Sequence, residues 1–191
     1  MSKYLIIYAH PNHEGHCGYL LSRIQEKLEK NKADWEIIDL YALNYDPVLK
    51  DSELYSAGRR EVSPENLGFQ EKIKAADRLL FIYPTWWQNM PAILKGFLDR
   101  VFSSRFGFVY KNGLPVGLLK DKKAAAFTTS GGPSLYTHFI TGSSSLRVLL
   151  KHTLGFCGIQ TKGFLLGRAQ KLENNKERLD NMADKIMKYL Q

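Results

Sequence analysis

One stretch constrains this chain more than any other: Arg78 to Phe102, RLLFIYPTWWQNMPAILKGFLDRVF. It opens on a short apolar run, Leu79 to Tyr83, with the length and composition of a strand buried on both faces. It closes on Pro91 to Val101, where apolar residues recur at helical spacing and a proline suits the first turn. Between them lies Pro84-Thr85-Trp86-Trp87-Gln88-Asn89-Met90. In an open α/β sheet, ligands bind in the crevice beyond the carboxyl ends of the strands, on loops placed like this one. Two adjacent tryptophans are costly to leave in water. They suit a flat aromatic ligand with a polar edge, and the competing reading packs both rings into the core. A proline on either side presets an extended path for the loop, which favours the ligand.

The rest of the chain repeats this strand, loop and helix unit. Tyr4 to Ala9 reads as a central parallel strand. It runs into His10-Pro11-Asn12-His13-Glu14-Gly15-His16-Cys17-Gly18 and then a helix from about Tyr19 to Glu29, with Leu20, Leu21, Ile24 and Leu28 on one face. The start of such a helix offers free N–H groups and the positive end of the dipole to an anion. The loop has neither GxGxxG nor the Walker pattern, so no standard dinucleotide or NTPase fingerprint is present. Trp35 to Leu40 is the second strand. Tyr41 to Ser63 has no clear period and reads as a long excursion with short helical pieces. Ser63 and Pro64 cap and start the next helix, with Phe69, Ile73 and Ala76 at helical spacing.

After the central stretch, Phe106, Phe108 and Tyr110 alternate, which places them on one face of an extended segment. Asn112-Gly113 is a turn signal. Lys123 to Thr129 is the fourth strand, ending in Thr128-Thr129-Ser130-Gly131-Gly132-Pro133-Ser134. Its glycines permit close backbone approach, and its hydroxyls offer hydrogen bonds to a polar edge. A helix over Leu146–Gly155, a fifth strand over Ile159–Leu166 and an amphipathic helix over Asn175–Tyr189 complete the chain. Five strands alternating with helices predict one three-layer α/β domain over residues 1–191, with a parallel sheet and right-handed crossovers. Without the Rossmann glycines, the expected strand order is 2-1-3-4-5.

Composition enters as exclusion. The 191 residues are 44% apolar and 24% charged, as in an ordinary globular protein with a substantial core. No apolar run is long enough to cross a bilayer. Met1-Ser2-Lys3 leads straight into a strand, so no signal peptide is expected and the expected location is the cytoplasm. Cys17 and Cys157 are then expected as free thiols. Cys17, at a helix N-terminus, is a candidate low-pKa thiol, against the blander reading of a small residue that fits the loop. His152 and Cys157 lack metal-ligand company, and no metal is expected. The net charge of +8 is spread along the chain with no nucleic-acid-reading motif, and attraction of a phosphate-bearing cofactor accounts for it equally well.

Three loops therefore converge at the carboxyl ends of strands one, three and four. The first suits phosphate, the second brings two indoles, and the third brings hydroxyls and glycines. A flavin nucleotide matches all three demands, with its phosphate tail and its planar ring system edged by N and O atoms.

On YAHPN (Tyr8–Asn12), SPENLGFQEKIKAAD (Ser63–Asp77), YPTWWQNMPAILKGFLDRVF (Tyr83–Phe102), TTSGGPSLY (Thr128–Tyr136) and FCGIQ (Phe156–Gln160), the chain resembles the NAD(P)H:quinone oxidoreductase family of flavodoxin-like flavoenzymes. The resemblance implies a flavodoxin-like three-layer sandwich and tightly bound FMN or FAD. It implies a homodimer with active sites at the interface, and two-electron transfer from NAD(P)H to a quinone-like acceptor. Within the same resemblance, an azo or nitro compound or free flavin are alternative acceptors. A flavin-binding regulatory subunit of a potassium-efflux system, a peripheral partner of a membrane protein, is the alternative from another class. Carried over, His10 and the segment Glu14 to Cys17 fall on the phosphate loop; because Glu14 is acidic, the anion contact there is expected from backbone N–H groups, His16 or His13. Pro84, Thr85, Trp86, Trp87 and Gln88 fall along the flavin ring, and Thr128, Thr129, Ser130 and Gly131 at its pyrimidine edge. Arg178 falls near the adenine end of FAD. Phe108 and Tyr110 fall on the acceptor pocket of the partner subunit, and Tyr136 on the active-site tyrosine. The family's catalytic histidine stands several residues beyond that tyrosine, and here the nearest candidate is His138, two residues on. The C-terminal extension of the animal enzymes is absent.

Overall fold

The structure, a computed structural model, describes residues 2–54, 58–59, 61–134 and 143–191. The proposed catalytic pair, Tyr136 and His138, lies outside the described residues.

Five apolar segments form one parallel sheet: β1 (Lys3–Tyr8), β2 (Asp34–Asp39), β3 (Arg78–Pro84), β6 (Lys123–Ser130) and β7 (Gln160–Gly167). Their order is β2-β1-β3-β6-β7, the expected 2-1-3-4-5 pattern, and the fold is flavodoxin-like. Burial on both faces follows the two-residue period of a strand. Leu5, Ile7, Leu79, Phe81, Ala124 and Ala126 point to a core layer with Phe69 and Ile73 of α2 (Pro64–Ala75) and Leu94 and Phe97 of α3 (Ala92–Val101). Ile6, Tyr8, Leu80, Ile82, Ala125 and Phe127 point the other way. They meet Leu20, Ile24 and Leu28 of α1 (His16–Lys30) and Leu179, Ala183 and Ile186 of α5 (Lys176–Leu190). The register pairs Tyr8 with Ile82 and Pro84 with Thr129, so the loops after β1, β3 and β6 leave the same rim of the sheet.

Local chemistry sets the helix ends. Ser63 Oγ accepts the Asn66 N–H at 3.3 Å and Pro64 opens α2, as expected. The far end of α2 is held by buried Lys122, whose ammonium donates to the Lys74 and Ala76 carbonyls at 2.9 and 2.8 Å. Helix α1 begins at His16, three residues before the expected start at Tyr19, and its first turn buries Cys17 and Gly18. Gly18 in that turn lies against the loop itself. A Cβ there would stand 1.7 Å from the His13 carbonyl oxygen.

Two segments outside the repeat are tied down differently. The excursion after β2 holds a short 3₁₀ turn (Asp51–Glu53), and the Arg100 guanidinium grips both Glu53 oxygens at 2.9 and 3.1 Å. Between α3 and β6, β4 (Phe108–Lys111) and β5 (Leu114–Gly117) form a separate antiparallel hairpin. Asn112 and Gly113, at φ 51° and 77°, supply its tight two-residue connection. The hairpin corrects one expectation. Phe106 sits in the turn before β4, buried against Phe102, and only Phe108 and Tyr110 share the extended face. A short helix α4 (Ser144–Arg147) runs into a π-helical stretch, Val148–Leu154, before β7. Among the described residues, no helix is long and apolar enough to cross a membrane.

Candidate active site

Three of the strand ends enclose a cleft of about 320 Å³, within the usual range for a small-molecule site. The loop after β1 contributes His10, Gly15, His16 and Cys17. The loop after β3 contributes Pro84, Thr85 and Trp86, and the loop after β6 contributes Thr129, Ser130 and Gly131. Ala169, just past β7, closes the fourth side. A wider groove of about 510 Å³ lies elsewhere, between the carboxyl ends of α1 and α5, and is lined by Lys27, Lys30 and Lys188. It gathers none of the strand-end loops, so the strand-end cleft is the better ligand site.

One end of the cleft is built for an anion. Gly15 stands at the N-cap of α1 with no side-chain cap, and the first turn carries no acidic residue. Its leading amides have no carbonyl four residues earlier to bond, and the helix dipole adds positive potential. Two imidazoles flank this end. Burial lowers the pKa of both His10 and His16, against the opposing pull of bonds with the Asn12 and Lys171 backbone. Both rings are therefore neutral near pH 7 and act as hydrogen-bonding groups rather than charges. Asn175 Nδ2 lies 3.2 Å from His16 Nε2. Behind it, Arg178 donates to Asn175 Oδ1 at 2.6 Å and to the Gly167 carbonyl at 3.2 Å. Arg178 thus stands behind the phosphate-end imidazole and does not line the cleft.

Cys17 is buried at the base, against Thr129, and burial pushes its thiol up to about 12. This corrects the low-pKa reading, because loss of solvent outweighs the opposing hydrogen bond with Thr129. The thiol is a packing group between the first and third loops.

The other two loops are tied to each other. The Thr85 N–H donates to the Thr129 carbonyl at 3.0 Å, and the Thr85 and Thr128 hydroxyls meet at 2.8 Å. Thr128 is buried and its hydroxyl is engaged with Thr85 beneath the cleft. Past Thr85 the chain makes a two-residue reverse turn. Trp86 and Asn89 exchange backbone bonds at 2.9 Å, with Trp87 and Gln88 at φ 48° and 60°. Ser144 Oγ holds the turn from α4 by donating to the Gln88 carbonyl at 2.6 Å. The turn splits the tryptophan pair. The Trp86 ring borders the cleft 6.0 Å from the His10 ring, whereas Trp87 is 100% exposed.

Other expected site residues stand outside the cleft of this chain. Glu14 is exposed in the first loop, its N–H donated to Asn12 Oδ1. Phe108 and Tyr110 sit on the β4–β5 hairpin, Phe108 edge-on to Phe156 at 4.9 Å. Gly15 lies within the expected Glu14–Cys17 segment, and sequence reasoning missed Ala169. The rule that ligands sit beyond strand carboxyl ends, extended to the strand ending at Gly167, points to it. Among the described residues, no group of three or more His, Cys, Asp and Glu side chains could hold a metal ion.

Residues 2–190 match the family described as having a flavodoxin-like fold. An uncharacterized NAD(P)H oxidoreductase of Haemophilus influenzae is 36% identical over 85% of this chain and 82% of its own length. The human ribosyldihydronicotinamide dehydrogenase [quinone] is 30% identical over 92% of this chain and 85% of its own. Among solved structures, the NAD(P)H:quinone oxidoreductase of Methanothermobacter marburgensis superposes with a TM-score of 0.80 at 27% identity, covering 97% of this chain and 96% of that one.

Proposed function

Because the chain belongs to the flavodoxin-like family that contains the NAD(P)H oxidoreductases and quinone reductases, we propose that its strand-end cleft holds a flavin nucleotide and passes two electrons from NAD(P)H to a quinone or a similar planar acceptor. The observation that carries this reading is the pairing of an uncapped, acid-free helix start with an indole-walled opening in one cleft. The first demands an anion and the second a flat ring, and FMN or FAD carries both. The residues fit the group. The first-turn amides of α1, with His10 and His16, would hold the phosphate. Trp86 would lie along the ring, and the Thr129–Gly131 backbone would meet its polar edge. Arg178 would serve a tail that extends past the phosphate.

When bound, the flavin supplies the two-electron chemistry between NAD(P)H and acceptor. The chain supplies position and charge. The Thr85–Thr128 bond locks the second loop to the third, so ring wall and edge donors keep one spacing. Backbone N–H groups of the Ser130–Gly132 loop, or Tyr136, would stabilise negative charge at the polar edge. Neutral His10 and His16 can hydrogen-bond to a phosphate without adding a buried charge. Tyr136, with His138 beside it in sequence, is proposed to deliver a proton to the acceptor oxygen. Phe108 and Tyr110 do not reach the cleft of their own chain. In the proposed homodimer they line the partner's acceptor pocket.

The test is the visible spectrum of the purified protein, followed by identification of the flavin released by acid. A yellow protein releasing FMN or FAD supports the reading. A colourless protein that takes up neither contradicts it.

A further inference from the structure

His13 does not line the cleft, yet it ties the first loop to two strands and a helix. Its Nε2 lies 2.7 Å from Asp39 Oδ2, at the end of β2. Its ring packs on the Tyr8 ring of β1, with centroids 4.6 Å apart. Its backbone lies on Gly18, in the first turn of α1, too closely to admit a Cβ there. One residue thus joins two strand ends to the helix start that faces the cleft. The bonds around it form a continuous set. The Tyr8 hydroxyl donates to the Asn12 carbonyl at 3.0 Å, and the Asn12 N–H donates to His10 Nδ1 at 3.0 Å. The Glu14 N–H donates to Asn12 Oδ1 at 2.7 Å.

Asp39 is committed as well. Its Oδ1 accepts the Tyr41 and Ala42 N–H groups, both at 3.1 Å, which leaves Oδ2 for His13. Its side chain is 13% exposed and that of His13 54%.

We propose that His13 and Asp39 form a positioning pair that fixes the first loop, and so sets the selectivity of the cleft for a phosphate-bearing ligand over its phosphate-free counterpart. The inference rests on the flavin-nucleotide reading above. The pair acts through the loop and the first-turn amides, which meet the tail of the ligand and not its ring system. Its loss therefore has a signature that general loosening of the fold lacks: affinity for the phosphate falls and affinity for the ring does not.

The experiment titrates flavin-free protein with FMN and with riboflavin, following quenching of flavin fluorescence, for the wild type, His13→Gln, Asp39→Asn and the double variant. Asparagine at position 39 keeps the Oδ1 acceptor for Tyr41 and Ala42. Each single variant is expected to weaken FMN about five-fold, the scale of one net hydrogen bond, while riboflavin changes less than about two-fold. The double variant is expected to resemble either single one, as two partners of one interaction do. Equal weakening of both ligands, with a matching fall in melting temperature, would mean a purely structural pair and overturn the inference. So would unchanged FMN binding in both single variants. A wild type that binds neither ligand would remove the flavin reading itself, and the inference with it.

Discussion

Trp87 and Gln88 show what a single position can and cannot reveal. Two adjacent tryptophans point to a flat ligand, and Trp86 does border the cleft, but Trp87 stands in solvent at the tip of a reverse turn. The split arises from backbone dihedrals that favour Asn-Gly, and nothing in Trp-Gln announces them. A non-glycine residue held left-handed costs about 1–2 kcal/mol. Replacing exposed Gln88 by glycine is expected to recover part of that cost and raise the melting temperature of the flavin-free protein by about 2–4 °C. A fall instead would mean that the Gln88 side chain itself stabilises the turn. The cysteines carry a pH prediction. Burial raises Cys17 and Cys157 from 9.0 to about 12. Above pH 9 the unfolded chain releases thiol protons that the folded chain keeps, so the folded state binds more protons and stability falls as pH rises. Melting temperatures are expected to be insensitive to these thiols up to about pH 8.5 and to decline beyond it, and replacing both by alanine should flatten the decline. An unaltered alkaline profile in that variant would show that the thiols are not the source.

Elements with a strong period were legible and their boundaries less so. β1, β3 and β6 announce themselves as apolar runs because both faces are buried, and their alternation sorts cleanly into the two core layers. The start of α1 was placed three residues late, since His16, Cys17 and Gly18 carry no apolar stripe and their helicity is set by the loop packed on them. The π-helical stretch at Val148–Leu154 has no sequence signature separate from an α-helix. Contacts far apart in the chain, His13 with Asp39 and Ser144 with Gln88, become visible only in three dimensions. The excursion after β2 has no clear period, and its described part is held by the buried Tyr45 ring against Phe69 and Phe97 and by charge. Arg100 and Glu53 are 6% and 7% exposed in their side chains, a buried pair clamping the excursion to α3. Arg100→Leu leaves the Glu53 carboxylate unpaired and is expected to cost about 3–5 kcal/mol in urea unfolding. A loss below about 1 kcal/mol would show that the excursion relaxes and rehydrates the carboxylate.

At the scale of the whole molecule, large apolar side chains are left in water in a telling distribution. Trp86 and Trp87 on the second loop, and Tyr110, Leu114 and Leu118 on or beside the β4–β5 hairpin, are all exposed, with Leu114 at 70%. Among the described residues Leu43, Val48, Leu49 and Leu67 are exposed as well; Tyr110 is the exposed residue proposed to serve a partner's cleft, and the apolar face around it is the proposed dimer surface. Light scattering is expected to give twice the 21.9 kDa chain mass, and a stable monomer would contradict the shared-pocket arrangement. The central claim, that one cleft accepts electrons from NAD(P)H and hands them to a planar acceptor, is tested most directly by anaerobic titration in a cuvette. NADPH or NADH is added to the purified protein, then a benzoquinone, while the visible flavin absorbance is followed. The account predicts bleaching by the nicotinamide and recovery of the yellow colour with the quinone. A flavin that neither nicotinamide bleaches would contradict it, and would make this chain a flavin-binding partner rather than a reductase.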